Sequence, residues 1–148
     1  MSTVLILADF SGDKASKTTA ELATAAARIG AVTAVVLAGT GKGAALAATV
    51  NQGPISNVLI IESDDFALHG VPAAADALAQ IIKDKSPAAL LIASYAFGKE
   101  VAARVAVLTD SGIITDAVDV AADGSATQLV FGGSTTVHSQ VSHGVPII

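Results

Sequence analysis

Residues 91–104 read LIASYAFGKEVAAR, and they join an apolar, strand-like run to a helix-forming segment through a short loop. In open α/β sheets, ligands bind in the crevice at the carboxyl ends of the strands. The backbone N–H groups that open a helix can also hold an anion. The stretch therefore predicts a strand–loop–helix unit, and it makes Ser94, Gly98 and Lys99 the candidates for anion or nucleotide binding.

The segments before this unit repeat the same alternation of strand and helix. Apolar strands are predicted at residues 4–8, 32–38, 58–61 and 88–93, and helices at 16–29, 44–50, 72–83 and 98–108. Strands that alternate with helices in this way favour right-handed βαβ crossovers and a parallel sheet covered on both faces. An acidic turn at residues 62–65 is predicted to cap the helix that follows it.

The last third of the chain lacks a helical period, and its apolar residues recur in short β-type runs. The dipeptide Asp123-Gly124 predicts a hairpin between residues 114–121 and 127–131, with further pairing by 135–142 that would extend the sheet. We therefore expect one domain over residues 1–148. Its fold class is three-layer α/β/α, adenine-nucleotide-hydrolase-like, with a mostly parallel sheet and antiparallel strands in the C-terminal third.

Composition excludes several classes of function. The chain has 148 residues, 52% of them hydrophobic, which is enough for one ordinary core. It contains no cysteine, so disulfides, thiolate catalysis and thiolate metal sites are excluded. A net charge of -5 with eight scattered basic residues argues against nucleic acid as a partner. The lack of a membrane-spanning run and of a signal peptide predicts a cytoplasmic protein that is not inserted in a membrane.

Two blocks of the sequence resemble the alpha subunit of electron transfer flavoproteins. The first, residues 94–116, combines Gly-Lys-Glu and a following Val-Ala-x-Arg with Gly112-x-x-x-Asp116. The second, residues 131–148, begins with Phe-Gly-Gly and ends with Gly-Val-Pro-Ile-Ile. Ala103 stands where the family often has proline, which affects only helix detail. The resemblance is to the amino-terminal domain, and we expect the chain to be that domain alone.

The resemblance implies an electron carrier rather than an enzyme. The parent protein would take electrons from acyl-CoA and related dehydrogenases in fatty-acid oxidation and pass them through FAD to a quinone oxidoreductase. FAD would lie in a separate carboxyl-terminal domain, and AMP in the partner beta subunit. This chain would be a scaffold that packs against the beta subunit, with no catalytic residue and no cofactor of its own. The isolated domain could also form a homodimer, because exposed apolar patches favour self-association.

A free-standing adenine-nucleotide-binding domain of the universal-stress-protein type is the alternative. Residues 39–43, Gly-Thr-Gly-Lys-Gly, resemble a phosphate loop, but Val36 and Gly43 occupy the places where Walker A requires glycine and Ser/Thr. A glycine-rich turn explains them more simply. At Lys99, the alternative to an anion site is helix capping with an ion pair between Glu100 and Arg104.

Metal and hydrolytic sites are not supported by the spacing of the candidate residues. The histidines His69, His138 and His143 do not occur at the helical spacing of a metal site, so no metal is expected. Ser94, Asp116 and His138 have the composition of a catalytic triad. Because no Gly-x-Ser-x-Gly elbow surrounds Ser94, we reject hydrolysis.

Overall fold

The computed structural model describes residues 2–50 and 53–148. Its strands are β1 (Thr3–Leu7), β2 (Phe10–Ser11), β3 (Lys14–Ala15), β4 (Ala31–Ala38), β5 (Ile55–Glu62), β6 (Ala89–Leu91), β7 (Ala117–Val120), β8 (Ala126–Val130) and β9 (Thr135–Ser139). Its helices are α1 (Lys17–Ala26), α2 (Gly43–Thr49), α3 (Asp65–His69), α4 (Val71–Lys85) and α5 (Ala96–Leu108).

The central sheet is parallel, with the strand order β5-β4-β1-β6. Val4 lies in register between Val32 of β4 and Ala89 of β6, so β1 occupies the middle of the sheet. Its side chains from Val4 to Leu7 are buried, as expected for a strand covered on both faces. The predicted parallel sheet is confirmed.

Alternate residues of each strand point into two separate cores. Leu5 and Leu7 pack with α4 and α5 on one face, whereas Val4 and Ile6 pack with α1 on the other. Alanines such as Ala23 and Ala75 are fully buried, so the helices can approach the sheet closely. The predicted three-layer α/β/α arrangement follows from this alternation of apolar side chains.

The last residues of the chain lie in the parallel sheet beside β6. Ile147 forms parallel bridges to Leu90 on one side and Ile113 on the other. The N–H of Ile148 donates to the carbonyl of Leu90 at 2.9 Å, and the N–H of Leu90 donates to Pro146 at 2.9 Å. The residues from Pro146 to Ile148 therefore cover the edge of β6.

The C-terminal hairpin is present, but it does not extend the central sheet as predicted. Strands β7, β8 and β9 form their own antiparallel sheet of three strands. The physical reason is that residues 146–148 already occupy the position beside β6. The turn itself is as expected, because Gly124 has φ +80° and Asp123 accepts bonds from the N–H and hydroxyl of Ser125. Both hydrogen bonds lower the pKa of Asp123, and the bond from the Ser125 hydroxyl has the larger effect.

The acidic turn at residues 62–65 also differs from its prediction. The turn leads directly into the short helix α3, and the sequence did not predict this helix. Asp64 makes no side-chain capping bond to α3. Its carboxylate instead accepts a hydrogen bond from the N–H of Thr40, in the loop after the neighbouring strand β4.

The helices of the described residues include none that is both long and apolar enough to cross a membrane.

Candidate functional site

The loop between β6 and α5 is held by very close backbone packing. Gly98 lies in the first turn of α5, and a Cβ atom built on it would be 1.9 Å from the carbonyl oxygen of Ala93. Only glycine allows the helix to begin so close to the end of the strand. The glycine of the Gly-Lys-Glu pattern therefore has a packing reason that is independent of any ligand.

Ser94 and Lys99 meet at the carboxylate of Asp116. The Lys99 Nζ lies 2.6 Å from Asp116 Oδ1, and Ser94 Oγ lies 3.5 Å from the same oxygen. The N–H of Asp116 donates to Ser94 Oγ at 3.2 Å, with Asp116 at φ +55°. The hydrogen bond from Lys99 is the main cause that holds the pKa of Asp116 below its usual range, and the positive charge of Lys99 adds to it.

This pairing decides what the loop can bind. The ammonium group of Lys99 is already matched by a carboxylate, so an incoming anion would have to displace Asp116. The cleft lined by Ser94, Gly98 and Lys99 together measures about 10 Å³, which is about the space of one water molecule. The alternative ion pair between Glu100 and Arg104 is absent from the ion pairs formed within the described residues.

The glycine-rich loop at residues 39–43 lies at the carboxyl end of β4, where its amides are held by the chain's own carboxylates. Glu62 accepts from the N–H of Gly41 at 3.1 Å and from that of Gly43 at 2.6 Å. Asp64 accepts from the N–H of Thr40 at 3.1 Å. Because these amides already hold two anionic groups, the loop does not fit the phosphates of FAD or of an adenine nucleotide.

A third cluster at this edge of the sheet, around Asp9, was missed by the sequence reasoning. Asp9 Oδ2 accepts a hydrogen bond from the hydroxyl of Ser16 at 2.5 Å and from that of Tyr95 at 2.8 Å. The buried Thr19 bonds both to the N–H and to the carbonyl of Asp9, each at 2.9 Å. The available signal was an acidic residue two positions beyond a buried strand, next to a predicted ligand crevice.

The Asp9 cluster changes the chemistry of the phenol that it contacts. Burial is the main cause that raises the pKa of Tyr95, and the hydrogen bond to Asp9 and its negative charge add to it. The cluster joins the end of β1 to the start of α5 across the crevice. It is therefore a polar link between two of the elements that form the ligand-binding edge.

The histidines form separate pairs. The His138 Nδ1 lies 3.1 Å from Thr127 Oγ1 on the neighbouring strand, and His143 Nε2 lies 3.0 Å from Asp110. His69 lies 3.7 Å from Asp65 on the same short helix. Within residues 2–50 and 53–148, no group of three or more His, Cys, Asp or Glu side chains could hold a metal ion.

The fold and these loops define a three-layer α/β domain in which the chain's own carboxylates bond to the strand-end loops. A family model described as "Electron transfer flavoprotein domain" matches residues 4–148. The chain belongs to this family.

The chain is also similar to proteins named as alpha subunits of electron transfer flavoproteins. The electron transfer flavoprotein subunit alpha of Mycobacterium tuberculosis (strain ATCC 25618 / H37Rv) is 35% identical over 148 residues. That of Mycobacterium leprae (strain TN) is 32% identical over the same length. Each alignment covers 100% of this chain and 46% of the relative, so the chain spans about half the length of the relatives it matches. The resemblance to the amino-terminal domain of alpha subunits is confirmed, and the stress-protein-type alternative is not favoured.

Proposed function

We propose that residues 1–148 form one domain that serves as a scaffold and subunit-interaction module of an electron transfer flavoprotein alpha subunit. The parent protein would be an electron carrier rather than an enzyme, and its partner would be a beta subunit. Membership of the family and the names of the relatives support this assignment.

The parent protein would use FAD, held outside this chain, to pass electrons from acyl-CoA and related dehydrogenases to a quinone oxidoreductase in the cytoplasm. AMP would be held by the beta subunit. FAD, when bound, supplies the electron-accepting ring system, whereas this domain supplies surfaces for assembly. We place no catalytic residue and no cofactor-binding residue in this chain.

One observation carries the scaffold role: the phosphate-binding candidates Gly41, Gly43 and Lys99 are satisfied within the chain. Glu62 occupies the amides of Gly41 and Gly43, and Asp116 occupies the ammonium group of Lys99. A loop that binds phosphate needs such amides and cations to face the ligand. Their internal use favours a structural function for the strand-end loops.

The antiparallel sheet offers the surface for a partner. Val118 is 59% exposed, Leu129 is 50% exposed and Phe131 is 84% exposed, although all three are large and apolar. Val118 lies on β7 and Leu129 on β8, and Phe131 directly follows β8. Exposed apolar side chains are typical of protein interaction sites. We propose this face as a contact for the beta subunit, with a homodimer of the isolated domain as the competing use.

The test is co-purification of this chain with the beta subunit from the same organism, with flavin absorbance recorded for each component. We expect a stable complex, and no flavin on this chain alone. Leu129→Asp should weaken the complex by about tenfold or more, as for a hot-spot residue. Leu68→Asp is the matched control, because Leu68 is 74% exposed but lies on α3.

Three results would contradict the proposal. The first is flavin that stays with the isolated chain through gel filtration. The second is the lack of any complex with the beta subunit. An equal loss of binding in the Leu129 and Leu68 variants would refute the assigned face.

A further inference from the structure

A cavity of about 280 Å³ lies at the carboxyl ends of β1, β4 and β6, between these strand ends and the start of α5. Its floor is aliphatic, with Leu7, Leu37 and Ile92 among the lining residues. This is the position at which open α/β sheets bind ligands. It shares Ile92, Ala93 and Gly98 with the small cleft beside Lys99, and no residue of the glycine-rich loop at 39–43 lines it.

The aromatic residues of this chain are concentrated at this cavity. The sequence contains four phenylalanines, one tyrosine and no tryptophan. Four of these five aromatic residues line the cavity: Phe10, Phe66, Tyr95 and Phe97. Tyr95 is 45% exposed and Phe97 is 49% exposed, so part of each ring is open to a ligand. A core would bury such rings, whereas a binding site for a flat apolar compound would present them.

The carboxylate of Asp9 at the cavity indicates which charge a ligand would carry. Asp9 lines it, and both side-chain hydrogen bonds to Asp9 end on Oδ2. Within the described residues, Oδ1 of Asp9 receives no hydrogen bond, so it is available to accept one. No lysine or arginine is among the residues that line the cavity in the described part of the chain. Phosphate and carboxylate groups therefore find no cationic side chain there, whereas an N–H donor or a cation can bond to the carboxylate of Asp9.

We propose that this cavity binds a small planar ring compound that carries an ammonium group or another N–H donor. The ring lies among the phenylalanine side chains, and the donor bonds to the carboxylate of Asp9. A cation in this position also gains from the faces of the aromatic rings. A volume of about 280 Å³ fits a compound of one or two rings rather than a dinucleotide.

The first test compares compounds that share one ring and differ in charge. Tryptamine, indole-3-ethanol and indole-3-acetate are titrated into the 148-residue chain, and backbone amide shifts are followed by NMR. We expect tryptamine to give saturable shifts at Asp9, Phe66 and Gly98. Indole-3-acetate should bind more weakly by about tenfold, the effect of one charge-assisted hydrogen bond.

The second test uses variants with matched controls. Phe66→Ala should weaken tryptamine binding by about tenfold, the effect of one aromatic contact. Phe131→Ala should not, because Phe131 is 84% exposed and lies outside the cavity. Asp9→Asn should reduce the preference for tryptamine over indole-3-acetate, whereas Asp13→Asn, in the exposed turn between β2 and β3, should preserve it.

Several outcomes would overturn the proposal. One is that none of the compounds shifts the amides around the cavity. Another is that indole-3-acetate binds as tightly as tryptamine, or that the two phenylalanine variants behave alike. If only the beta subunit shifts these amides, the cavity is a protein contact and the ligand proposal is wrong. The tests on the isolated chain do not depend on subunit assembly, so their failure leaves the scaffold role untouched.

Discussion

The hydroxyl of Tyr95 lies 2.8 Å from Oδ2 of Asp9, although the two residues are 86 positions apart in the sequence. The bond joins the end of the central strand β1 to the start of α5. It also places a carboxylate and a phenol at the edge of an aromatic cavity. Several measurable properties of the chain depend on this and similar links between strand-end loops.

Tyr95 should titrate at an unusually high pH. It is the only tyrosine in a chain without tryptophan, so tyrosinate absorbance reports this residue alone. We expect a single transition above pH 10.0, because burial and Asp9 raise the pKa of Tyr95 above that usual value. Asp9→Asn should lower the midpoint, and Asp13→Asn should not.

The same pKa predicts how stability changes in alkali. A raised pKa means that the folded state holds the phenolic proton more tightly than the unfolded state does. This contribution to stability is fully present below pH 10.0 and is lost as the pH rises through the folded pKa of Tyr95. Urea unfolding over this range should show a smaller loss for Tyr95→Phe. An identical alkaline loss in Tyr95→Phe would contradict the assignment.

Gly98→Ala should destabilise the chain by about 2 kcal/mol or more, the scale of an overpacked core. The added Cβ would lie 1.9 Å from the carbonyl oxygen of Ala93, which is backbone and cannot turn away. Alanine normally favours a helix over glycine, so propensity alone predicts the opposite sign. Urea denaturation measures the difference.

Gly39→Ala is the control for that substitution. A Cβ at Gly39 meets atoms only at 3.8 Å and beyond, which is ordinary contact. We therefore expect a small change in the free energy of unfolding. Equal effects at the two glycines would show that the close approach at Gly98 does not explain its identity.

Lys99→Met should raise the pKa of Asp116 toward its usual value of 3.8, because the main cause of its lowering is the hydrogen bond from Lys99. A lowered folded pKa contributes stability that is present above pH 3.8 and is lost as the pH falls through the folded value. The variant should thus lose stability less steeply in acid. Carboxyl NMR titration measures the pKa, and Lys85→Met, at the exposed end of α4, is the control.

Glu62→Ala should loosen the glycine-rich loop. It removes the carboxylate that accepts hydrogen bonds from the N–H groups of Gly41 and Gly43, at a cost of about 1 kcal/mol. Hydrogen exchange at both amides should become faster. Glu100→Ala, at an exposed position of α5, should leave this exchange unchanged, and unaltered exchange in Glu62→Ala would show that the carboxylate does not hold the loop.

The sequence by itself determined the strands of the central sheet and the position of the loop between β6 and α5. Apolar runs and alanine-rich helical periods are local signals, so the parallel strands, the Asp123-Gly124 hairpin and the β6–α5 unit were predicted close to their observed bounds. The motif at residues 94–116 also pointed to the family. These features depend on residues only a few positions apart, and local propensity encodes them.

Only the tertiary structure decided which side chains meet. Strand order brings Asp9 to Tyr95, Glu62 to Gly41, and Lys99 to Asp116, and no local period specifies that order. The same holds for Ile147, whose place beside β6 excludes the antiparallel strands from the central sheet. Hydrogen-bond partners across a sheet edge depend on how distant strands pack, so the aromatic cavity and its carboxylate could be found only in the folded chain.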